Sequence, residues 1–253
     1  MAPDRSRCSL KRPAEVIATH DTTPDCRPKQ VYGAVNGSVL ASVPTTARRV
    51  LDVGCGDGSF GWALKDRQPA EVVGLTYSWD EAEAAAPRLD RVEVVDLNQF
   101  QPAELGRFDC VVCSHVLEHL CWPDRFLVAA HPLFAPGGRL VIALPNVLAW
   151  RQWLAFMAGR FRYADGGLMD RAHFRFFDWR TAQDLVCSAG YRVVSAQADG
   201  VFPLSRFLPG VGPAISRMAL RLAPGLFGWQ FVIVAEPAVP PVPEFSTSPR
   251  EGS

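Results

Sequence analysis

RRVLDVGCGDGSFGWAL, residues Arg48–Leu64, is the stretch on which the fold is decided. Val50–Val53 is a short apolar run that predicts a buried strand. Gly54, Gly56 and Gly58 then fall on alternate positions before a predicted helix over Ser59–Arg67. Glycine there lets the backbone turn sharply and lets a ligand approach where a Cβ atom would collide. The loop stands at the carboxyl end of the first strand, where open α/β sheets bind nucleotide-like ligands. An acid, Asp52, sits just before it. A lone glycine turn is a weak signal, but the strand–loop–helix context makes this one a binding loop.

Further apolar runs follow at Val72–Leu75, Val92–Val95, Cys110–Cys113 and Leu140–Leu144. Each is short, rich in Val or Leu and mostly apolar on both faces, as strands of a buried parallel sheet should be. Helices are predicted between them at Asp80–Ala86 and Asp124–Leu133. A last helix over Thr181–Ala189, closed by Gly190, leads to strands at Arg192–Ala196 and Phe231–Ala235. Strand and helix alternating in this way predict one α/β domain, a doubly wound, seven-stranded, mainly parallel sheet in three α/β/α layers.

The chain has 253 residues, with 26 Lys and Arg against 26 Asp and Glu, a hydrophobic share of 48% and a charged share of 21%. Those figures exclude wholesale disorder, collagen-like repeats and a small disulfide scaffold. Neutrality also argues against a nucleic-acid partner, whose binding requires a surplus of cations to displace counterions. Seven cysteines form no regular framework, and four of them lie in apolar runs, so a reducing, cytoplasmic compartment is expected. Residues 1–28 read as a mobile arm, 29–236 as the domain, and the Pro-rich stretch 237–253 as a disordered tail. Neither a signal peptide nor a membrane span is expected.

At LDVGCGDG the sequence resembles the class I S-adenosylmethionine-dependent methyltransferases, and supporting segments follow in the right order. FDCVVCSHVLEHL is similar to the family's fourth-strand motif, and LFAPGGRLVIALPN to its Pro-Gly-Gly turn and fifth strand. The resemblance implies S-adenosyl-L-methionine as cofactor, with Asp52, Gly54, Cys55, Gly56 and Gly58 lining its methionine moiety. It also implies Asp96 and Leu97 at the adenine and Ser114 at the ligand-facing end of the fourth strand. One departure stands out. Where the family carries an acid for both ribose hydroxyls, VVGLTYSWDEAE has Thr76, with Tyr77 beside it and Asp80 and Glu81 further on. A hydroxyl cannot clamp two oxygens as a carboxylate does, so Thr76 and Tyr77 share the task, Asp80 reaches back, or the cofactor binds weakly. The missing acid also counts against a nicotinamide oxidoreductase.

His115-Val116-Leu117-Glu118-His119 spells H-x-x-E-H, an inverted zinc-peptidase signature and hence a remote zinc-hydrolase reading. That signature needs an established helix, whereas His115 directly follows a strand and Pro123 comes soon after. Quinone O-methyltransferases that the segment resembles imply a milder metal reading on His115, Glu118 and His119, but no metal is expected. Cys110 and Cys113 are i and i+3 on a strand, point to opposite faces and read as core.

Methyl transfer to oxygen benefits from a base of near-neutral pKa, which makes His115, His119 and His173 the candidate catalytic residues. His173 lies in RFRYADGGLMDRAHFRFFDWRTAQDL, part of an insertion near 148–178 that is similar to strings in methyltransferase-like proteins of bacterial glycan clusters. On that analogy Asp170, Arg171 and Arg175 sit with it at the substrate mouth. Arg suits carboxylated or phosphorylated substrates because its fork pairs two oxygens. Residues 151–180 carry six Arg against three Asp, a locally basic segment inside a neutral chain. A second insertion, near 202–228, reads as a lid packed on the core or as a surface lying on the inner face of a membrane. The expected activity is O-methylation of a small molecule or cell-surface glycan precursor. Its main competitor is a non-catalytic partner-binding protein, since the chain also looks partly like the W-type proteins of methionine biosynthesis.

Overall fold

The computed structural model describes residues 35–102, 105–203, 205 and 210–238. The expected arm and all but the first two residues of the expected tail lie outside them. Seven strands, β1 (Arg49–Val53), β2 (Glu71–Thr76), β3 (Arg91–Val94), β4 (Phe108–Ser114), β5 (Phe134–Pro145), β6 (Tyr191–Gly200) and β7 (Gly228–Pro237), form one sheet. Their order is β3-β2-β1-β4-β5-β7-β6. The first five are paired in parallel, and β7 runs antiparallel between β5 and β6. This is the mainly parallel, doubly wound sheet that the apolar runs predict.

Strand alternation divides the core into two layers. Leu51, Val53, Val73, Leu75, Val111 and Cys113 join one cluster, completed by Phe126 and Leu127 of α4 (Pro123–Ala129) and Ala182 and Val186 of α6 (Trp179–Ser188). Val50, Val72, Val92, Cys110 and Val112 join the other, completed by α1 (Gly37–Ser42), α2 (Ser59–Arg67) and α3 (Trp79–Ala85). Cys110 and Cys113 fall on opposite sides, both free, as the strand period requires.

Local chemistry sets the helix ends. α6 begins with a reciprocal cap: the Asp178 carboxylate accepts from the backbone of Arg180 and Thr181, and the Asp178 N–H donates to the Thr181 hydroxyl. The helix expected over Asp124–Leu133 stops instead at Ala129, and a single 3-10 turn follows at His131–Leu133. Pro132 lacks the N–H that would continue the ladder, and its ring crowds the preceding turn. The two insertions hold the remaining helices, α5 (Trp150–Met157), α7 (Gly212–Leu222) and α8 (Pro224–Phe227). α7 packs against β6 and α8 and leaves Met218 and Leu222 exposed.

Strand order reverses between β1 and β4, so the carboxyl ends of these two strands open the crevice in which such sheets bind ligands. β7 closes the far side. Its Phe231 is fully buried, with its ring edge-on to Trp179 at 5.3 Å between centroids. Phe231→Ala is expected to destabilise the fold by about 3–5 kcal/mol, read as a lowered urea midpoint at unchanged slope.

Candidate active site

The loop after β1 has left-handed backbone at each alternate glycine, φ 71° at Gly54, 52° at Gly56 and 79° at Gly58. Gly54 and Cys55 both donate their N–H to the Leu75 carbonyl of β2, at 2.8 and 2.9 Å. A Cβ at Gly54 would overlap Val116, and one at Gly58 would stand 3.1 Å from the Ala85 backbone. Asp57 is committed to capping: it accepts from the Ser59 N–H and hydroxyl, each at 2.9 Å, and pairs with Arg88 at 2.5 Å. Asp52 differs. It is 3% exposed, and its Oδ2 is buried with no hydrogen-bond partner. Burial pushes its carboxyl up to about 7. The Cys55 and Cys113 thiols, the groups coupled to it, are themselves pushed up by burial and kept neutral.

At the end of β2, Thr76 is buried and its hydroxyl meets the Glu81 carboxylate, which α3 brings back from its first turn. A carboxylate therefore does reach the tip of β2, that of Glu81. Asp96 follows β3. Its oxygens accept from the Asn98 N–H at 2.9 Å and the Gln99 amide at 3.2 Å, capping the turn Leu97–Gln99.

Beyond β4 the chain makes a sharp bend. His115 has φ 56°, the only left-handed non-glycine among the described residues, a strained state for a residue with a Cβ. Its ring stacks on Trp229, 8° from parallel. Nδ1 faces Glu118 Oε1 at 3.2 Å, and Nε2 faces Gln230 Oε1 at 2.7 Å. Gln230 offers its oxygen because its Nε2 donates to Asp199 at 2.6 Å. Two acceptors require a proton on each ring nitrogen. Burial lowers the basicity of His115, but the Glu118 hydrogen bond and charge, with Gln230, outweigh it and raise its pKa above the ordinary value. Both ring nitrogens of His115 are thereby engaged by neighbouring side chains.

Glu118 and His119 form the 3-10 turn Leu117–His119 and meet the inserted segment. Phe174 and Arg175 donate their N–H groups to the Glu118 carbonyl at 2.9 and 3.1 Å, and the His119 and His173 rings meet edge-on at 4.7 Å. Candidate metal-ligand atoms of Glu118, His119 and His173 all lie within 4.8 Å of one another. That set differs from the expected His115, Glu118 and His119, because His115 is consumed by hydrogen bonds. The H-x-x-E-H string is no helix: a strand end, a bend and a 3-10 turn cannot put His115 and His119 on one helical face.

Two of the residues expected to meet substrate also hold backbone groups nearby. Arg175 donates twice to the Cys121 carbonyl, at 3.1 and 2.7 Å, and Asp170 is buried, accepting from the Ala172 N–H at 2.8 Å. Arg171 is exposed and pairs with the exposed Asp165. Sequence reasoning passed over Gln230, Asn36 and Asp199. The signal was available for Gln230, a polar residue inside the apolar run GWQFVIVA of a buried strand.

The methyltransferase-domain family profile matches residues 21–196. The chain belongs to that family. Among curated relatives, the ubiquinone biosynthesis O-methyltransferase of Psychrobacter cryohalolentis is 29% identical over 156 residues, 58% of this chain and 60% of that protein. That of Pseudomonas aeruginosa is 35% identical over 107 residues, 39% of this chain and 45% of that one. The chain thus spans about half the length of the curated relatives it matches. An S-adenosylmethionine-dependent methyltransferase structure from Archaeoglobus fulgidus superposes with a TM-score of 0.54 at 22% identity, over 76% of this chain and 86% of that one. One from Mesorhizobium loti gives 0.54 at 18%, over 79% and 95%. Both share the fold. No helix among the described residues is long and apolar enough to cross a membrane.

Within this methyltransferase domain, Asp52 carries a proton-linked cost. Between about pH 4 and 7 the folded state holds a proton that the unfolded carboxyl, at its ordinary 3.8, has lost. The Asp52 contribution to stability therefore falls as pH rises through that window and is flat above it. Asp52→Asn should leave stability little changed near pH 4 and raise it relative to the parent by ~2–4 kcal/mol at pH 8. Urea melts of both proteins across pH 4–8 check this.

Proposed function

We propose that the chain is an S-adenosylmethionine-dependent methyltransferase that modifies a hydroxyl oxygen of a small molecule or glycan precursor. The observation that carries the reading is the buried, unpartnered Asp52 Oδ2 beside three alternate left-handed glycines. A cationic ligand portion would satisfy that oxygen and let the carboxylate ionise, and the cofactor's methionine end is cationic. The residues present fit the group. Asp52 and the Gly54–Gly58 loop would hold the methionine end, Glu81 with Thr76 and Tyr77 the ribose, and Asp96 and Leu97 the adenine, with Ser114 at the ligand-facing end of β4. When bound, the cofactor supplies an already activated methyl group, so the protein's task is alignment of the acceptor oxygen.

His115 then acts as a fixed cation at the acceptor side, oriented by Glu118, Gln230 and Trp229. His119 and His173 present the ring nitrogens nearest the inserted segment. Burial depresses the basicity of His173, against the charge of Glu118. O-methylation is the chemistry in the relatives' names, and a phenolic hydroxyl and a sugar hydroxyl are the two acceptor classes to compare.

Calorimetric titration with S-adenosylhomocysteine tests the reading. One equivalent should bind the parent chain. Glu81→Gln should weaken binding tenfold or more, the value of a hydrogen bond to a charged group. Gly56→Val, which forces a branched side chain onto φ 52°, should abolish it. Absence of binding to the parent would remove the enzyme reading and leave the partner-binding one.

A further inference from the structure

Trp122 stands between the turn that follows β4 and the start of α4, exposed, with two guanidinium groups against its ring. The Arg125 guanidinium carbon is 4.6 Å and that of Arg175 5.6 Å from the ring centroid, so the two cations are at most 10.2 Å apart. An aromatic face attracts a cation but does not neutralise it. Among the described residues neither arginine forms an ion pair. The Cys121 carbonyl takes Nε and Nη2 of Arg175, whose Nη1 makes no hydrogen bond among the described residues. Arg125 also lines a cavity of about 270 Å³ with Asn98, Gln99, Gln101 and the paired rings of Phe100 and Phe126. Asp96, the acid of that turn, is engaged by the Asn98 N–H and the Gln99 amide. Pockets for drug-sized ligands begin at about 300 Å³, so this one takes a small group.

We propose that Arg125 and Arg175 clamp the phosphoryl group of a phosphorylated small-molecule acceptor, whose hydroxylated remainder enters the cavity beside Arg125. A carboxylate has two oxygens and is satisfied by one guanidinium fork, whereas a phosphoryl group presents three and serves two forks. With charge-assisted bonds of about 2.8 Å on each side, one such group bridges guanidinium carbons roughly 10 Å apart. The amides of Asn98, Gln99 and Gln101 both donate and accept, which suits sugar-type hydroxyls. The chain sets this clamp beside the acceptor side. Trp122 lies three residues beyond His119 and Arg175 two beyond His173, and those two histidine rings meet edge-on at 4.7 Å. That the ligand is the methyl acceptor rests on the methyltransferase reading; binding of the phosphoryl group does not.

The test titrates the full-length chain by calorimetry with glucose 1-phosphate and, separately, with inorganic phosphate, at fixed ionic strength. Glucose 1-phosphate should bind at one equivalent and more tightly than inorganic phosphate, because only the ester also fills the cavity. Arg125→Ala should weaken both at least tenfold, as loss of a charge-assisted hydrogen bond predicts. Gln101→Ala should weaken glucose 1-phosphate alone. Arg192→Ala should change neither, since Arg192 pairs with Glu236 at the β6 edge of the sheet. Arg175 also holds the Cys121 carbonyl, so the exposed Arg125 is the deciding variant, with its urea midpoint measured alongside to establish folding. Absence of binding by either phosphate would overturn the proposal, as would unchanged affinity in folded Arg125→Ala. Equal affinity for the two would leave a free-phosphate site and overturn the assignment to an acceptor. Displacement by S-adenosylhomocysteine would overturn it too, by giving the cavity to the cofactor. A chain that binds S-adenosylhomocysteine but neither phosphate fails here and leaves the cofactor reading intact.

Discussion

The buried carboxylate of Glu118 is the joint on which the acceptor side of this molecule turns. One oxygen holds His115, and through it Gln230 of β7; the residue's own carbonyl holds Phe174 and Arg175 of the insertion. Three parts of the chain distant in sequence thereby meet at one residue just beyond the β4 tip. A buried charge is tolerated only when its partners are in place. Glu118 therefore depends on its contact with His115, and that contact explains why a strained backbone at φ 56° persists there.

The fold was legible because its signals are local and repeated. Short Val- and Leu-rich runs flanked by helical stretches predict a parallel sheet, and the glycines after β1 mark its binding end. Strand parity even settled the fate of Cys110 and Cys113. Errors arose where one residue outweighs a pattern, as when Pro132 ends a helix whose apolar spacing continues. Edge extents also escaped: β6 and β7 run well past the apolar stretches that announce them, since pairing with one another sustains residues that periodicity would assign to loops.

The site was legible in part, for a physical reason. Residues of the glycine loop act through backbone conformation, which composition and spacing report directly. Side-chain partnerships do not announce themselves. Thr76 reads as a lost acid until α3 is wound and Glu81 swings back over it. His115, His119 and His173 look equivalent as letters, yet partners up to 115 residues away engage both ring nitrogens of His115, while His119 Nδ1 meets a backbone carbonyl and His173 Nδ1 has no partner. Arg175 and Asp170, read from the sequence as substrate contacts, also hold backbone groups, Arg175 the Cys121 carbonyl outside its segment and Asp170 the Ala172 N–H within it.

The antiparallel placement of β7 has a consequence for the order of assembly. Gln230, which fixes His115, lies on the last of the described strands in chain order, and its amide also pairs with Asn36, 194 positions earlier. β7 must slot between β5 and β6 rather than add to an edge. Contacts of such long sequence separation form late, after much chain entropy has been surrendered. The glycine loop, built from β1 and β2, can take shape while the chain is still short, whereas the acceptor side stays open until β7 seats. A nascent or truncated chain would thus own a cofactor cradle with no machinery opposite it.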